Sequence, residues 1–168
     1  GNLRLRRYWC TLDHIGGNVP GRYEEQVEYF RELFIDSCRL RMRSDVPIGT
    51  ALSGGLDSSS TIAAVAHIAR DGERPRQGRD WQHAFIATFP GTPLDESRYA
   101  RLVTDHLGID ALFLEIDPVK TIEKLPDYLY LFEEIYLTSP IPFMLTYEAM
   151  RGKGIKVTID GHGADECF

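Results

Sequence analysis

Short apolar runs alternate with longer helical patterns along most of the chain, and this alternation constrains the fold more than any other feature. The apolar runs cover residues 46–52, 83–89, 111–116 and 155–159. Patterns with apolar residues every three or four positions, typical of helices, cover residues 58–70, 95–107, 119–136 (with a break near Pro126) and 139–152. Strands that alternate with helices form a parallel sheet with crossover helices. The prediction is therefore an α/β fold of this kind.

The rest of the chain fits one domain. Residues 1–20 form an irregular lead-in, and a further helical pattern over residues 23–43 opens a domain that spans residues 21–168. A hydrophobic content of 43% in 168 residues is sufficient for a packed core. We find no internal repeat and no low-complexity segment.

Charge and cysteine content exclude several classes of partner. The net charge is −6, whereas a nucleic-acid binder would more often be basic, so no nucleic-acid partner is expected. No apolar run reaches the roughly 18 residues of a membrane helix, so no membrane partner is expected either. Cys10, Cys38 and Cys167 are widely spaced and odd in number, which argues against a disulfide framework or a zinc site. A reducing, cytoplasmic setting follows as the prediction.

The sequence Ser-Gly-Gly-Leu-Asp-Ser-Ser-Ser follows the first apolar run and precedes a helix expected to begin near Asp57 or Ser58. A helix start leaves backbone N–H groups without partners and carries partial positive charge. Gly54 and Gly55 would let a ligand approach the backbone closely. Hydroxyl groups come from Ser53, Ser58 and Ser59. This combination predicts a phosphate cradle without lysine.

Other loop motifs fit this stretch less well. A Walker loop requires a lysine after its last glycine, and the dinucleotide motif G-x-G-x-x-G is absent. A nucleophile elbow would begin with glycine where Ala51 stands, so a serine hydrolase using Ser53 and His162 remains a weaker alternative.

Asp57 indicates that a metal ion accompanies the phosphates. A carboxylate repels bound phosphate unless a cation lies between them, and Mg²⁺ is usually held by one or two carboxylates with phosphate oxygens. A second carboxylate is therefore expected from elsewhere in the chain. The sequence Ile-Asp-Gly-His-Gly-Ala-Asp-Glu ends the fourth apolar run and offers Asp160, Asp165 and Glu166. Both segments follow parallel strands, which places them at one edge of the sheet.

Two longer stretches carry a family resemblance. SGGLDSS resembles the pyrophosphate-loop (PP-loop) motif of ATP pyrophosphatases, whose fold is adenine nucleotide α-hydrolase-like. RSDVPIGTALSGGLDSSSTIAAVA with GIKVTIDGHGADE resembles the synthetase domain of glutamine-hydrolysing asparagine synthetases and of the related β-lactam synthetases. YWC at residues 8–10 and FIATFPGTPLDESRYARLVTDHLG fit the same family. Nearly the whole chain is covered, as the N-terminal part of that domain.

The resemblance implies a mechanism and a set of site residues. Such enzymes adenylate a substrate carboxylate, release pyrophosphate, and let an amine attack the acyl-AMP. The resemblance also implies that Asp57 and Asp165 bind Mg²⁺ and that Glu133 lies near the ATP and the substrate. ATP would be bound by Leu52, Ser53, Gly54, Gly55, Asp57, Ser58, Ser59, Ala87, Asp160 and Gly161.

The sequence departs from the family at three positions of the expected site. His162 stands where asparagine synthetases usually have Glu and β-lactam synthetases have Tyr. Histidine could act as a base for an incoming amine, whereas the alternative is that it only packs in a loop. Asp160 stands where many relatives have Ser, so that its backbone could be what matters, and Thr88 stands where relatives often have Gly.

Several functions remain open on the sequence. The leading prediction is an AMP-forming amide ligase that uses aspartate and ammonia from glutamine. A related ligase that closes a β-lactam or macrolactam ring is the alternative, and a non-catalytic ATP sensor is the alternative of another class. The glutaminase domain with its N-terminal cysteine and the C-terminal helices of the family are not in this sequence. We therefore expect this chain to bind ATP but to need those parts as partners for synthesis. A homodimer is a further possibility.

Overall fold

The computed structural model describes residues 3–15, 17, 19–70, 81–133 and 140–164. They divide into two compact units, residues 1–34 and residues 35–168. In the first unit, a 3₁₀ turn covers Thr11–His14 and the rings of Trp9 and His14 stack with centroids 4.0 Å apart. No described residue of this first unit is buried. The boundary between the units falls inside helix α1, Tyr23–Arg41.

The second unit contains a parallel sheet of four described strands in the order β3-β2-β1-β4. The strands are β1 Ile48–Ala51, β2 Gln82–Thr88, β3 Asp110–Glu115 and β4 Val157–Thr158. The helices that connect them are α2 Leu56–Arg70, α3 Ser97–Leu107, α4 Pro118–Thr121, α5 Leu125–Phe132 and α6 Pro140–Gly152, with a 3₁₀ turn at Ile122–Lys124. The predicted α/β fold with a parallel sheet and crossover helices is thereby confirmed.

Helices cover both faces of the sheet because alternate residues of each strand point to opposite sides. In β2, Ala84 and Ile86 pack with Ile62 of α2 and Ala100 of α3. Phe85 points to the other face and packs with Met150 of α6 and with Ile155. Among the described residues, these two apolar clusters hold the helices on the two faces of the sheet. None of the helices in the described ranges combines the length and the hydropathy that a membrane crossing requires.

The predicted elements match the observed ones, with differences at their ends. Helix α2 begins at Leu56, before the expected Asp57 or Ser58, since the Ser59 N–H already donates to the Gly55 carbonyl. The break near Pro126 is confirmed, and Pro126 itself lies in the first turn of α5, where its missing N–H costs nothing. Helix α6 covers Pro140–Gly152, and Ser139, the first residue of the predicted pattern, lies outside the described residues.

Candidate functional site

The loop after β1 is only four residues long, residues 52–55, and is closed by its own hydrogen bonds. Ser53 Oγ accepts from the N–H of Gly55 at 3.1 Å, and Ser58 Oγ accepts from the N–H of Ser53 at 3.3 Å. The hydroxyl oxygens of Ser53 and Ser58 lie 3.1 Å apart. These bonds fix the loop at the N-terminus of α2, where the first N–H groups of the helix have no partner in an earlier turn.

Gly54 brings this loop against another part of the protein. It has a φ of 92°, in the left-handed region that favours glycine, and a Cβ there would lie 2.5 Å from the Ala100 nitrogen. The sequence alone suggested that this glycine makes room for a ligand. The structure shows instead that the backbone of α3 lies where a side chain at this position would be.

Gly161, after β4, makes the second close approach at this edge. A Cβ on Gly161 would lie 2.6 Å from the Ser58 nitrogen and 2.8 Å from the carbonyl carbon of Asp57. The segment after β4 therefore passes directly over the first turn of α2. This contact confirms the expectation that the two glycine-containing segments meet at one edge of the sheet, because β1 and β4 are parallel neighbours.

The carboxylate of Asp160 joins three elements. Its Oδ1 accepts from the backbone N–H of Ala51 at 2.6 Å, at the end of β1. Its Oδ2 accepts from the hydroxyl of Tyr147 on α6 at 3.1 Å. The sequence left open whether the backbone or the carboxylate of Asp160 matters, and in the structure both carboxylate oxygens accept hydrogen bonds from the protein.

A cavity of about 440 Å³ opens at the carboxyl ends of these strands. Its wall is built by the end of β1, the first turn of α2, strand β2, the loop before α3, one face of α6 and the segment after β4. Each element contributes residues, namely Ala51, Leu52, Ser53, Asp57, Ser58, Phe85, Ala87, Phe89, Leu94, Glu96, Pro142, Phe143, Thr146, Tyr147, Gly161, His162, Gly163 and Ala164. This is where parallel α/β sheets bind ligands, at the point where the strand order reverses.

The structure brings most of the predicted site residues to this cavity. Its lining includes the predicted residues Leu52, Ser53, Asp57, Ser58, Ala87, Gly161 and His162. The adjoining Gly54, Gly55, Ser59 and Asp160 belong to the same segments but do not line it. The predicted contacts with ATP stay predictions for the lining residues and for these four alike.

Glu133 and Asp165 are the remaining predicted residues. Glu133 follows the end of α5 with a φ of 56°, is exposed, and is not among the lining residues. Asp165, the predicted second metal ligand, lies outside the described residues, as does Glu166. In the described part of the chain, no group of three or more His, Cys, Asp or Glu side chains could hold a metal ion.

Charge in the described lining is predominantly negative. Asp57 and Glu96 are its carboxylates and His162 is its imidazole, and the described lining contains no lysine or arginine. The carboxylate of Asp57 makes no hydrogen bond or ion pair with any described residue. An anionic ligand in this cavity therefore needs backbone N–H groups and a cation for its neutralisation.

Sequence reasoning missed the aromatic wall on α6. Phe143 packs against the imidazole of His162 with centroids 4.9 Å apart, and against Tyr147 at 5.2 Å. The signal was present as Pro142, Phe143, Thr146 and Tyr147, a helical spacing of three and four that follows a proline-rich helix start. Such a stripe ordinarily indicates core packing, and only the tertiary structure places it at a cavity.

Comparison with known families agrees with this geometry. The family described as asparagine synthase matches residues 29–168, most of the chain and all of the sheet. The chain belongs to the asparagine synthase family. The resemblance read from the two glycine-containing segments is confirmed.

Proteins from a bacterium and a fungus are similar to this chain. Asparagine synthetase B of Escherichia coli is 31% identical over 178 residues, which cover 100% of this chain and 31% of that protein. Amidase chry2 of Gibberella zeae is 30% identical over 156 residues, which cover 86% of this chain and 22% of that protein. The chain thus spans less than a third of the length of these relatives.

Among solved structures, the NH3-dependent NAD synthetase from Campylobacter jejuni matches part of this chain. Its TM-score is 0.49 at 17% identity, and the match covers 77% of this chain and 54% of that one.

Proposed function

We propose that this chain forms the ATP-binding part of an ATP-dependent, AMP-forming amide ligase. An oxygen of a substrate carboxylate attacks the α-phosphorus of ATP, the bond to the bridging oxygen breaks, and pyrophosphate leaves. An amine nitrogen then attacks the acyl carbon, the bond to AMP breaks, and the amine loses a proton to a base. Aspartate is the proposed carboxylate, and ammonia released from glutamine the proposed amine.

One observation carries this proposal. In a chain of the asparagine synthase family, the first turn of α2 and the segment after β4 are in contact and line one cavity at the carboxyl ends of the strands. The first gives unpaired N–H groups and a carboxylate, and the second gives a histidine. The site therefore combines what phosphate binding and amine attack each require.

The cavity offers different surfaces to the two ends of ATP. Leu52, Ala87 and Phe89 give an apolar wall that suits the adenine ring. Ser53 and Ser58, with the N–H groups at the start of α2, suit the phosphates, since a helix N-terminus favours negative charge. These fixed donors lower the barrier through positioning and electrostatics, because they need no rearrangement as charge develops on the leaving group.

The residues present fit a bound Mg²⁺. Asp57 lines the cavity with a carboxylate that has no described partner, and the acidic lining would otherwise repel ATP. Asp57 would hold the ion, with Asp165 proposed as the second carboxylate, and phosphate oxygens and water would complete the shell. The ion would neutralise charge on the departing pyrophosphate.

His162 is the proposed base for the incoming amine. It lines the cavity, remains largely exposed, and is held on one side by the ring of Phe143. Histidine is the side chain most often used as a general base, and its imidazole can take a proton from a bound amine.

A ligase that closes a lactam or macrolactam ring is the second candidate. The aromatic wall of Phe143 and Tyr147 beside His162 favours it, because such a surface suits a less polar acceptor than aspartate. Mass analysis of the product separates the two, since ring closure loses water from a single substrate, whereas amidation incorporates ammonia.

Pyrophosphate release by the full-length protein tests the main proposal. The assay contains Mg-ATP and aspartate, with glutamine or ammonia present or absent. We expect aspartate-dependent release that falls by about 100-fold or more in Asp57→Ala, as for loss of one key electrostatic contact. Unchanged release in Asp57→Ala would contradict the assigned role of this loop. ATP binding without any release would favour a sensor.

A further inference from the structure

The parallel hydrogen-bond ladder between β1 and β4 is interrupted at its carboxyl end by side chains. Ile159 N–H donates to the Gly49 carbonyl at 3.0 Å, and a regular ladder would continue with the Ala51 N–H donating to the Ile159 carbonyl. Instead, the Ile159 carbonyl accepts from the Thr50 hydroxyl at 3.0 Å, and the Ala51 N–H donates to Asp160 Oδ1 at 2.6 Å. The strands therefore separate at this point without leaving a buried donor unpaired.

The separation lies where a ligand site is expected. The strand order β3-β2-β1-β4 reverses between β1 and β4, because the chain runs from β1 to β2 and β3 and returns to the other side of β1. Crevices for ligands form at such reversals, outside the carboxyl ends of the strands. Asp160 occupies the last bridge between the two strands before the cavity.

We infer that Asp160 is a positioning residue, whose carboxylate holds the crevice between β1 and β4 open and aligns two of its walls. Its Oδ1 fixes the end of β1, while its Oδ2 holds the hydroxyl of Tyr147, whose ring lines the cavity on α6. This inference rests on the proposed function for its catalytic consequence.

The alignment extends from Asp160 to the phosphate-binding turn. Gly161, its neighbour, lies against the backbone of Asp57 and Ser58 too closely to accept even a Cβ. A shift of Asp160 would therefore move Gly161 relative to the first turn of α2. A shift of Tyr147 would also disturb Phe143 and, through it, the ring of His162. One carboxylate is thus coupled to the proposed phosphate cradle and to the proposed base.

Four single variants of the full-length protein, and one double variant, test this role. Asp160→Ala removes both hydrogen bonds, whereas Asp160→Asn keeps an oxygen for the Ala51 N–H and an amide group for Tyr147. Tyr147→Phe removes only the bond to α6. Asp105→Ala is the matched control, because it removes one exposed aspartate on α3 outside the cavity. Thermal stability, ATP affinity, the kcat and KM of pyrophosphate release, and backbone hydrogen exchange are measured for each.

We expect Asp160→Ala to speed exchange at Ala51 and in the first turn of α2. We also expect the rate of pyrophosphate release to fall about 10- to 100-fold, because displacing reacting groups by about an ångström lowers the rate by this order. Asp160→Asn should keep most of the activity, and the control should match the parent protein. Tyr147→Phe should add little to Asp160→Ala in a double variant, because both act through the same contact.

Two results would overturn the inference. One is unchanged exchange and ATP affinity in Asp160→Ala. The other is a decrease in pyrophosphate release that is explained by the lower thermal stability of the variant alone, so that activity returns when the assay temperature is lowered. If the parent protein neither binds ATP nor releases pyrophosphate, the proposed function fails, and the exchange measurement alone then decides the role of Asp160.

Discussion

At the scale of single residues, the glycines of this site serve close contact between backbones. Gly54 faces the start of α3 and Gly161 faces the start of α2, and at both a Cβ would lie within 2.6 Å of a backbone nitrogen. These contacts fix two helix N-termini against the cavity edge. The glycines therefore contribute to ligand binding indirectly, by setting where the donors of the helices lie.

Gly161→Ala is expected to weaken both folding and ATP binding. The new Cβ meets rigid backbone at Asp57 and Ser58, which cannot move aside as a flexible side chain would. We expect the free energy of unfolding to fall by about 1–3 kcal/mol, as in overpacked sites. Urea unfolding and ATP titration measure the two effects.

Gly152→Ala is the control for this substitution. Gly152 ends α6, and nothing lies within 4 Å of a Cβ there. The same change should leave stability equal or slightly higher, because alanine restricts the unfolded chain. Equal effects at both positions would show that the close approach of Gly161 has no energetic importance.

At the scale of elements, the start of α3 depends on the carboxylate of Asp95. Its Oδ1 accepts from the backbone N–H of Ser97 at 3.1 Å, and this bond holds the pKa of Asp95 below its usual range. The sequence pattern began this helix at Asp95, whereas the structure begins it at Ser97 with Glu96 at the N-cap, so Asp95 lies just before the helix. Glu96, which lies between Asp95 and Ser97, lines the cavity.

Asp95→Asn is expected to change how stability depends on pH. Because the folded pKa is lowered, the charged carboxylate stabilises the fold above its unfolded pKa of about 3.9, and this contribution is lost as the pH falls through the folded value. The parent protein should therefore exceed Asp95→Asn in stability at pH 7, with the difference shrinking below about pH 4.

Urea unfolding from pH 7 to pH 2 measures this difference. The control is Asp105→Asn, at an exposed position of the same helix, because the Asp105 carboxylate makes no hydrogen bond to a described residue. A difference between Asp95→Asn and the parent that stays constant over this range would contradict the assigned role.

At the scale of the whole molecule, the reversal of strand order creates the site. The chain segments that meet there are about 100 residues apart, with residues 53–59 after β1 and residues 159–164 after β4. Binding at such a junction stabilises the fold, because a ligand that bridges the segments is bound by the folded state alone.

Mg-ATP is therefore expected to raise the thermal unfolding temperature of the protein. A ligand at 100 times its Kd adds about 2.7 kcal/mol, which for a chain of this size corresponds to about 5–10 °C. Differential scanning fluorimetry with ATP, with and without Mg²⁺, measures the shift. Asp57→Ala should lose the part that depends on Mg²⁺, whereas a shift equal to that of the parent protein would remove Asp57 from the proposed metal site.

Much of the site could be predicted from sequence because its features are local. A glycine-rich turn between an apolar run and a helix specifies a helix N-terminus, and this placed Ser53, Asp57 and Ser58 correctly at the cavity. The role of the Asp160 side chain could not be predicted in this way. Its carboxylate bonds to Ala51 and to Tyr147, which lie on different elements. Ala51 precedes Asp160 by 109 residues, and no local sequence pattern connects residues so far apart.

The sequence by itself determined the family, the α/β class and the two segments that form the site, since periodicity and glycine spacing are properties of short stretches. The tertiary structure alone decided which backbones the glycines approach, that an aromatic face of α6 lines the cavity, and that Asp160 ends the ladder between β1 and β4. These features depend on strand order and helix packing, which bring together groups whose separation along the chain carries no signal.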